Sequence, residues 1–130
     1  MNKYLIAITL AISLASCSES FKNIDPKSFN EKIAGITDIK TPEELMKLYY
    51  GTYENDKNSK LTITSSDKQE ENNYEITLIH EGIKDDSQSG RKIIMKAKLD
   101  KQIWTVTEIK ESWKCHNGRG HTDWGATTCN

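Results

Sequence analysis

No charge of either sign dominates this chain: 18 lysines and arginines stand against 19 aspartates and glutamates, interspersed along its length. That balance lacks the basic footprint on which nucleic-acid binding depends, so nucleic acid is not an expected partner. Catalytic motifs are equally absent. There is no Gly-x-Ser-x-Gly, no His-Glu-x-x-His and no glycine-rich phosphate cradle. Internal repeats are missing too, and beyond Cys17 no apolar run is long enough to span a bilayer. Cysteine is scarce, with three in the chain, and that scarcity turns out to be informative.

What is present begins with an address. Lys3 gives a positive start, Tyr4 to Leu14 form an apolar stretch, and the small residues Ala15 and Ser16 precede Cys17. This is the build of a secretory signal, too short to count as a spanning helix. The tetrapeptide Leu14-Ala15-Ser16-Cys17 resembles the lipobox of bacterial lipoproteins. The resemblance implies removal of residues 1–16, a diacylglycerol thioether on Cys17, and acylation of the new amino group. It implies no cofactor other than that covalent lipid, and a membrane partnership through it. Ser18, rather than aspartate, after the cysteine further implies sorting to the outer membrane, facing the periplasm. Two or three acyl chains suffice for stable anchoring.

Removing residues 1–16 takes away one lysine and no acid, leaving 17 basic against 19 acidic side chains. The remainder fits one small domain, 24–130, behind a polar lipidated tether, 17–23. With Cys17 committed to lipid, Cys115 and Cys129 remain as an even pair in an oxidising compartment, and a disulfide between them is expected.

Element signals are clear in the middle of the chain. Asp25-Pro26 is a helix start, with Phe29 and Ile33 on one face and Gly35 as the stop, which predicts a helix over 26–34. Thr41-Pro42-Glu43-Glu44 repeats the device with a capping box, and Leu45, Leu48 and Tyr49 share a face over 42–50. Period-2 alternation then marks four strands: Leu61 and Ile63; Tyr74, Ile76 and Leu78; Ile93, Met95, Ala97 and Leu99; and Trp104 with Val106. Asp100-Lys101 reads as the turn before the fourth strand. The apolar phase of that strand moves between Val106 and Ile109, which predicts a bulge or a strand that passes beyond its partners. The expected fold class is therefore α+β, with two short N-terminal helices packed on a four-stranded antiparallel meander and a C-terminal disulfide-closed loop. By element order it resembles cystatin-like and NTF2-like architectures.

The chemistry-bearing residues crowd into the last sixteen positions. The string Cys115-x-x-Gly-Arg-Gly-His-Thr-Asp-Trp-Gly…Cys129 is similar to the C-terminal signature of small uncharacterised bacterial exported proteins, a resemblance to which no function attaches. Within it, Arg119 between glycines offers a planar donor fork, and Trp124 a rigid anchor. With His121 and Asp123 these form the expected partner-binding set. His116, His121 and Asp123 are the competing reading, three nitrogen and oxygen ligands suited to a divalent metal. Elsewhere, His80 followed by Glu81 reads as an edge histidine or as a base with its acid. Asp85 and Asp86 read as a solvated turn rather than a calcium loop.

These readings converge on an expectation. The chain is a membrane-anchored envelope lipoprotein with a non-enzymatic binding or structural role, of the inhibitor or immunity type, presenting its 115–129 loop to an envelope or secreted protein. The alternative is a small metal-assisted hydrolase using His116, His121 and Asp123.

Overall fold

A computed structural model describes residues 18–51, 53, 56–65 and 72–130. Residues 1–17, on which the expected signal and the lipidation of Cys17 fall, lie outside the described residues. The elements in order are β1 (Lys22–Ile24), α1 (Lys27–Ile33), α2 (Pro42–Tyr50), β2 (Ser59–Ser65), β3 (Asn73–Glu81), β4 (Gln88–Asp100) and β5 (Ile103–Cys115). Every strand pairing is antiparallel, and the sheet order is β1-β5-β4-β3-β2.

The sequence-based expectation of a four-stranded meander preceded by two helices is corrected here. The sheet has five strands, dominates the structure, and opens before the helices with β1. The cystatin-like and NTF2-like likeness rested on element order and falls with it. The tether expected over 17–23 is corrected too. Lys22 and Asn23 belong to β1, pairing with Glu111 and Lys110 along the edge of β5, and Glu19 is bound to the sheet.

Of the two expected helix starts, that of α2 forms as its sequence dictates, whereas α1 has Pro26 rather than Asp25 at its N-cap and no side-chain cap hydrogen bond. At α2 the Thr41 hydroxyl accepts from the Glu44 N–H while the Glu44 carboxylate accepts from the Thr41 N–H, a complete capping box with Pro42 behind it. At α1 the Asp25 carboxylate accepts from the Lys27 N–H, one residue earlier than a standard cap. Helix α1 lies against β5 and α2 against β3, covering one face of the sheet. Phe29, Ile33, Leu45 and Met46 meet Ile76, Leu78, Ile93, Met95, Ala97, Val106 and Ile109 there. At about 25 cal/mol per Å2 of apolar surface removed from water, this cluster is the main favourable term in the fold.

The bulge expected in the fourth strand is present at Thr107: Ala97 pairs with Val106, and Lys96 with Glu108. The extra residue lets both Val106 and Ile109 point into the core. Beside it, the β5 edge reaches past the short β1. The Asn30 side chain closes that gap, donating to the Val106 carbonyl and accepting from the Val106 N–H, both at 2.8 Å. A helix side chain thus stands in for a missing strand partner, satisfying backbone groups that would be costly to leave unpaired. The β4–β5 turn falls on Lys101 and Gln102, one residue later than expected, both at positive φ (47° and 67°). No helix among the described residues is long and apolar enough to cross a membrane.

Candidate functional site

The C-terminal segment is folded onto one end of the sheet. Cys115, buried at the end of β5, is disulfide-bonded to Cys129, with Cα atoms 5.6 Å apart. Trp113 and Gly125 exchange both backbone hydrogen bonds (2.8 and 3.0 Å), and the Cys115 N–H donates to the His121 carbonyl. The Trp113 indole N–H donates to the Thr127 carbonyl. Gly120 is required where it stands: its φ is 142°, and a Cβ there would lie 3.0 Å from the Cys115 sulfur.

His121 is the clamp of this loop. Its Nδ1 lies 2.9 Å from the Asp123 carbonyl and its Nε2 lies 2.8 Å from the Thr127 carbonyl. A neutral imidazole carries one N–H, so only the imidazolium can donate to both acceptors. Those two carbonyls, Asp123 first, together with the Asp123 carboxylate raise its pKa above 6.5, against a smaller opposing effect of burial. Because the folded value is raised, the stabilisation is complete below 6.5 and is lost as pH rises through the raised folded value. Amide exchange of residues 121–127 should therefore quicken, relative to β5, as pH rises above 6.5. A His121→Gln variant should lose that extra pH dependence. An unchanged pH profile in the variant would show that the clamp does not titrate.

The partner-binding set expected from the sequence is only partly presented. Asp123 projects into solvent, its side chain 89% exposed. Arg119 is exposed as well, and its guanidinium donates to the Asn130 carbonyl at 3.0 Å. Trp124 packs on the sheet beside Gly90. It lies across the outer, helix-free face of the sheet, with the Lys92 and Lys114 ammonium groups 4.7 and 4.6 Å from its ring centroid. Gly90 makes room for it, since a Cβ there would sit 3.2 Å from the indole.

The residues of the alternative metal reading do not come together as one set. His116 turns to the 82–87 loop, its Nε2 2.9 Å from the Asp85 carbonyl. Asp123 reaches only to 3.9 Å from His121 Nδ1, and both ring nitrogens of His121 are engaged by carbonyls. Among the described residues, the group with metal-ligand proximity is Cys115, His121 and Cys129, whose two sulfurs are joined to each other. Asp85 closes its own turn, its Oδ2 accepting from the backbone N–H groups of Ser87 and Gln88. Those amides, Gln88 first, hold its carboxyl below the usual range.

Two features escaped the sequence reading. The first is the N-terminal segment. The Glu19 carboxylate accepts twice from Lys92 (2.9 and 2.8 Å) and once from the wholly buried Ser112 hydroxyl (2.7 Å). Ser20 accepts from the Ala126 N–H. Ser18 and Ser20 line a cavity of about 560 Å3 with His121, Asp123, Trp124 and Thr127. Serines and a glutamate after a signal carry no periodicity, so nothing local marks them as bound.

The second is a relay on the covered face. His80 Nδ1 lies 2.9 Å from the Tyr50 hydroxyl and Nε2 lies 2.7 Å from Asp56 Oδ2. The Asp56 carboxylate takes the Nε2 proton in its hydrogen bond, which leaves Nδ1 to accept from Tyr50. The His80 N–H, ahead of the Asn58 amide, holds the Asp56 carboxyl below its usual range, while burial pushes the Tyr50 phenol up. Glu81, the acid the sequence placed beside His80, points to the other face and pairs with Lys114 at 2.6 Å. The alternation of β3 put His80 on the buried side, but its two partners come from non-adjacent elements.

No protein-family profile, no curated protein and no solved structure matches this chain.

Proposed function

We propose that this protein is an envelope lipoprotein, anchored through lipid on Cys17, whose role is to bind another envelope or secreted protein rather than to catalyse a reaction. Within that role an inhibitor or immunity function is the reading that suits a small, anchored, motif-free domain. The observation that carries it is the seam between the N-terminal segment and the C-terminal loop. Glu19 is fixed to Lys92 and Ser112, and Ser20 to Ala126. Two peptide units span at most about 7 Å, so an anchored Cys17 would hold the loop close to the bilayer surface. The exposed Arg119 and Asp123, and the accessible part of Trp124, then form a charged, aromatic rim beside the membrane. Arg and Trp are the residue types that most often dominate binding energy at interfaces.

Capture of partners from detergent-solubilised envelopes tests this reading. The native protein should retain one or a few partners that Arg119→Ala, Asp123→Ala and Trp124→Ala, combined, release at least tenfold more readily. Near-native circular dichroism and an intact disulfide would show that the triple variant still folds. An unchanged partner set with the rim removed would refute the assignment of this surface.

A further inference from the structure

On the covered face of the sheet the apolar rows stop short of one end. Ile76, Met95 and Ile109 form one row and Leu78, Ile93 and Glu111 the next. The last row is His80, Arg91 and Trp113, directly opposite one another on β3, β4 and β5. Two tyrosines from the last turn of α2 meet this end. Tyr50 stacks edge-on against the His80 ring at 5.7 Å between centroids and bonds its Nδ1, while Tyr49 donates to Glu111 at 2.7 Å.

Among the described residues, the two acids beside this row already have donors, and its one cation is the group left short of partners. Asp56 is held by His80 and by the Asn58 amide, and Glu111 by Tyr49. Arg91 is the exception. Among the described residues its guanidinium makes one hydrogen bond, to the Gln88 side chain at 3.0 Å, and no ion pair. It is half-buried, and its charge is felt at both tyrosine hydroxyls, where it opposes their upward shifts. A guanidinium has five N–H donors in a fixed plane, a geometry that matches the two oxygens of a carboxylate or phosphate. Among the described residues most of those donors have no protein acceptor.

We propose that Arg91, flanked by the Tyr50–His80–Asp56 relay and Trp113, is a binding site for a small oxyanion-bearing ligand, a carboxylate or a phosphate. Arg91 supplies the fork. The relay fixes Tyr50 and His80 beside it, so that a phenol and an imidazole border the bound group. The site lies on the face opposite Trp124 and does not depend on whether Cys17 is lipidated.

The test is a nuclear magnetic resonance titration of the purified full-length protein, with inorganic phosphate in one arm and acetate in the other. At constant ionic strength, one or both should give saturable shifts centred on the Arg91 Nε–H and the Tyr50 and His80 rings. The arm that saturates first identifies the preferred oxyanion. Arg91→Gln should weaken that binding at least tenfold, whereas Lys114→Gln, on the other face, should leave it unchanged. Should Arg91→Gln fail to fold, Arg91→Lys keeps the charge and loses the fork, and should still weaken binding several-fold. Absence of saturable shifts with both anions would overturn the proposal. So would an affinity that neither Arg91→Gln nor Arg91→Lys lowers.

Discussion

Replacing Cys115 and Cys129 together with serine should lower the stability of the protein by about 3 kcal/mol. The bridge joins residues 14 apart, and closing a loop of about 15 residues removes roughly that much chain entropy from the unfolded state. For a domain of this size the melting temperature should fall by roughly 10 °C. Either single Cys→Ser change breaks the same bridge and should cost about as much, and the loss spreads beyond the bond itself because the bridge holds a set of interactions. The Trp113–Gly125 pair, the His121 clamp and the Trp113 indole bond to Thr127 all need the chain to return to β5. Differential scanning calorimetry of the double variant, against the oxidised native protein, measures the effect. A melting temperature within 2 or 3 °C of native would mean that those non-covalent contacts alone fix the loop, and the staple would lose its assigned role.

That the bridge was legible before the structure, while the loop's packing was not, reflects how each piece of information is carried. A disulfide follows from counting: one cysteine assigned to lipid leaves a pair. Helix starts follow from local chemistry, and the Thr41-Pro42-Glu43-Glu44 box formed as written. Strand phase is likewise local, and the odd, three-residue step between apolar positions at Val106 and Ile109 located a real bulge. Three things were not local. The first strand, Lys22-Asn23-Ile24, is too short and polar to show alternation, and it is a strand because β5 has an open edge beside it. The position of Trp124 depends on Gly90, 34 positions earlier, leaving bare backbone for an indole to cross. The partners of His80 come from the end of α2 and from the segment before β2, so the adjacent Glu81, the acid of the alternative reading, is not among them. Alternation put Glu81 on the opposite face, where Lys114 waits across the Gly90 strand.

The second large effect concerns position in the cell rather than stability. Under the proposed lipidation of Cys17, a Cys17→Ser variant should move from the membrane fraction toward the soluble fraction, since it loses the acyl chains and no helix among the described residues is long and apolar enough to cross a membrane. The fold should be indifferent to the change, because the contacts that bind the N-terminal segment begin at Glu19. The reverse experiment separates anchoring from orientation. In Glu19→Ala, with Cys17 intact, the protein should stay in the membrane fraction, but the Lys92 ammonium, 14% exposed, and the buried Ser112 hydroxyl lose their acceptor. Leaving such groups unpaired costs on the order of 1–3 kcal/mol, enough to free residues 18–21 from the sheet. The domain would then hang on a mobile link instead of being held with its loop at the bilayer. Limited proteolysis of intact vesicles reads this directly: cleavage ahead of β1 should be slow in the native protein and several-fold faster in Glu19→Ala. Retention of Cys17→Ser in the membrane fraction would end the lipoprotein assignment, whereas equal cleavage rates would end only the claim that Glu19 fixes the domain's orientation.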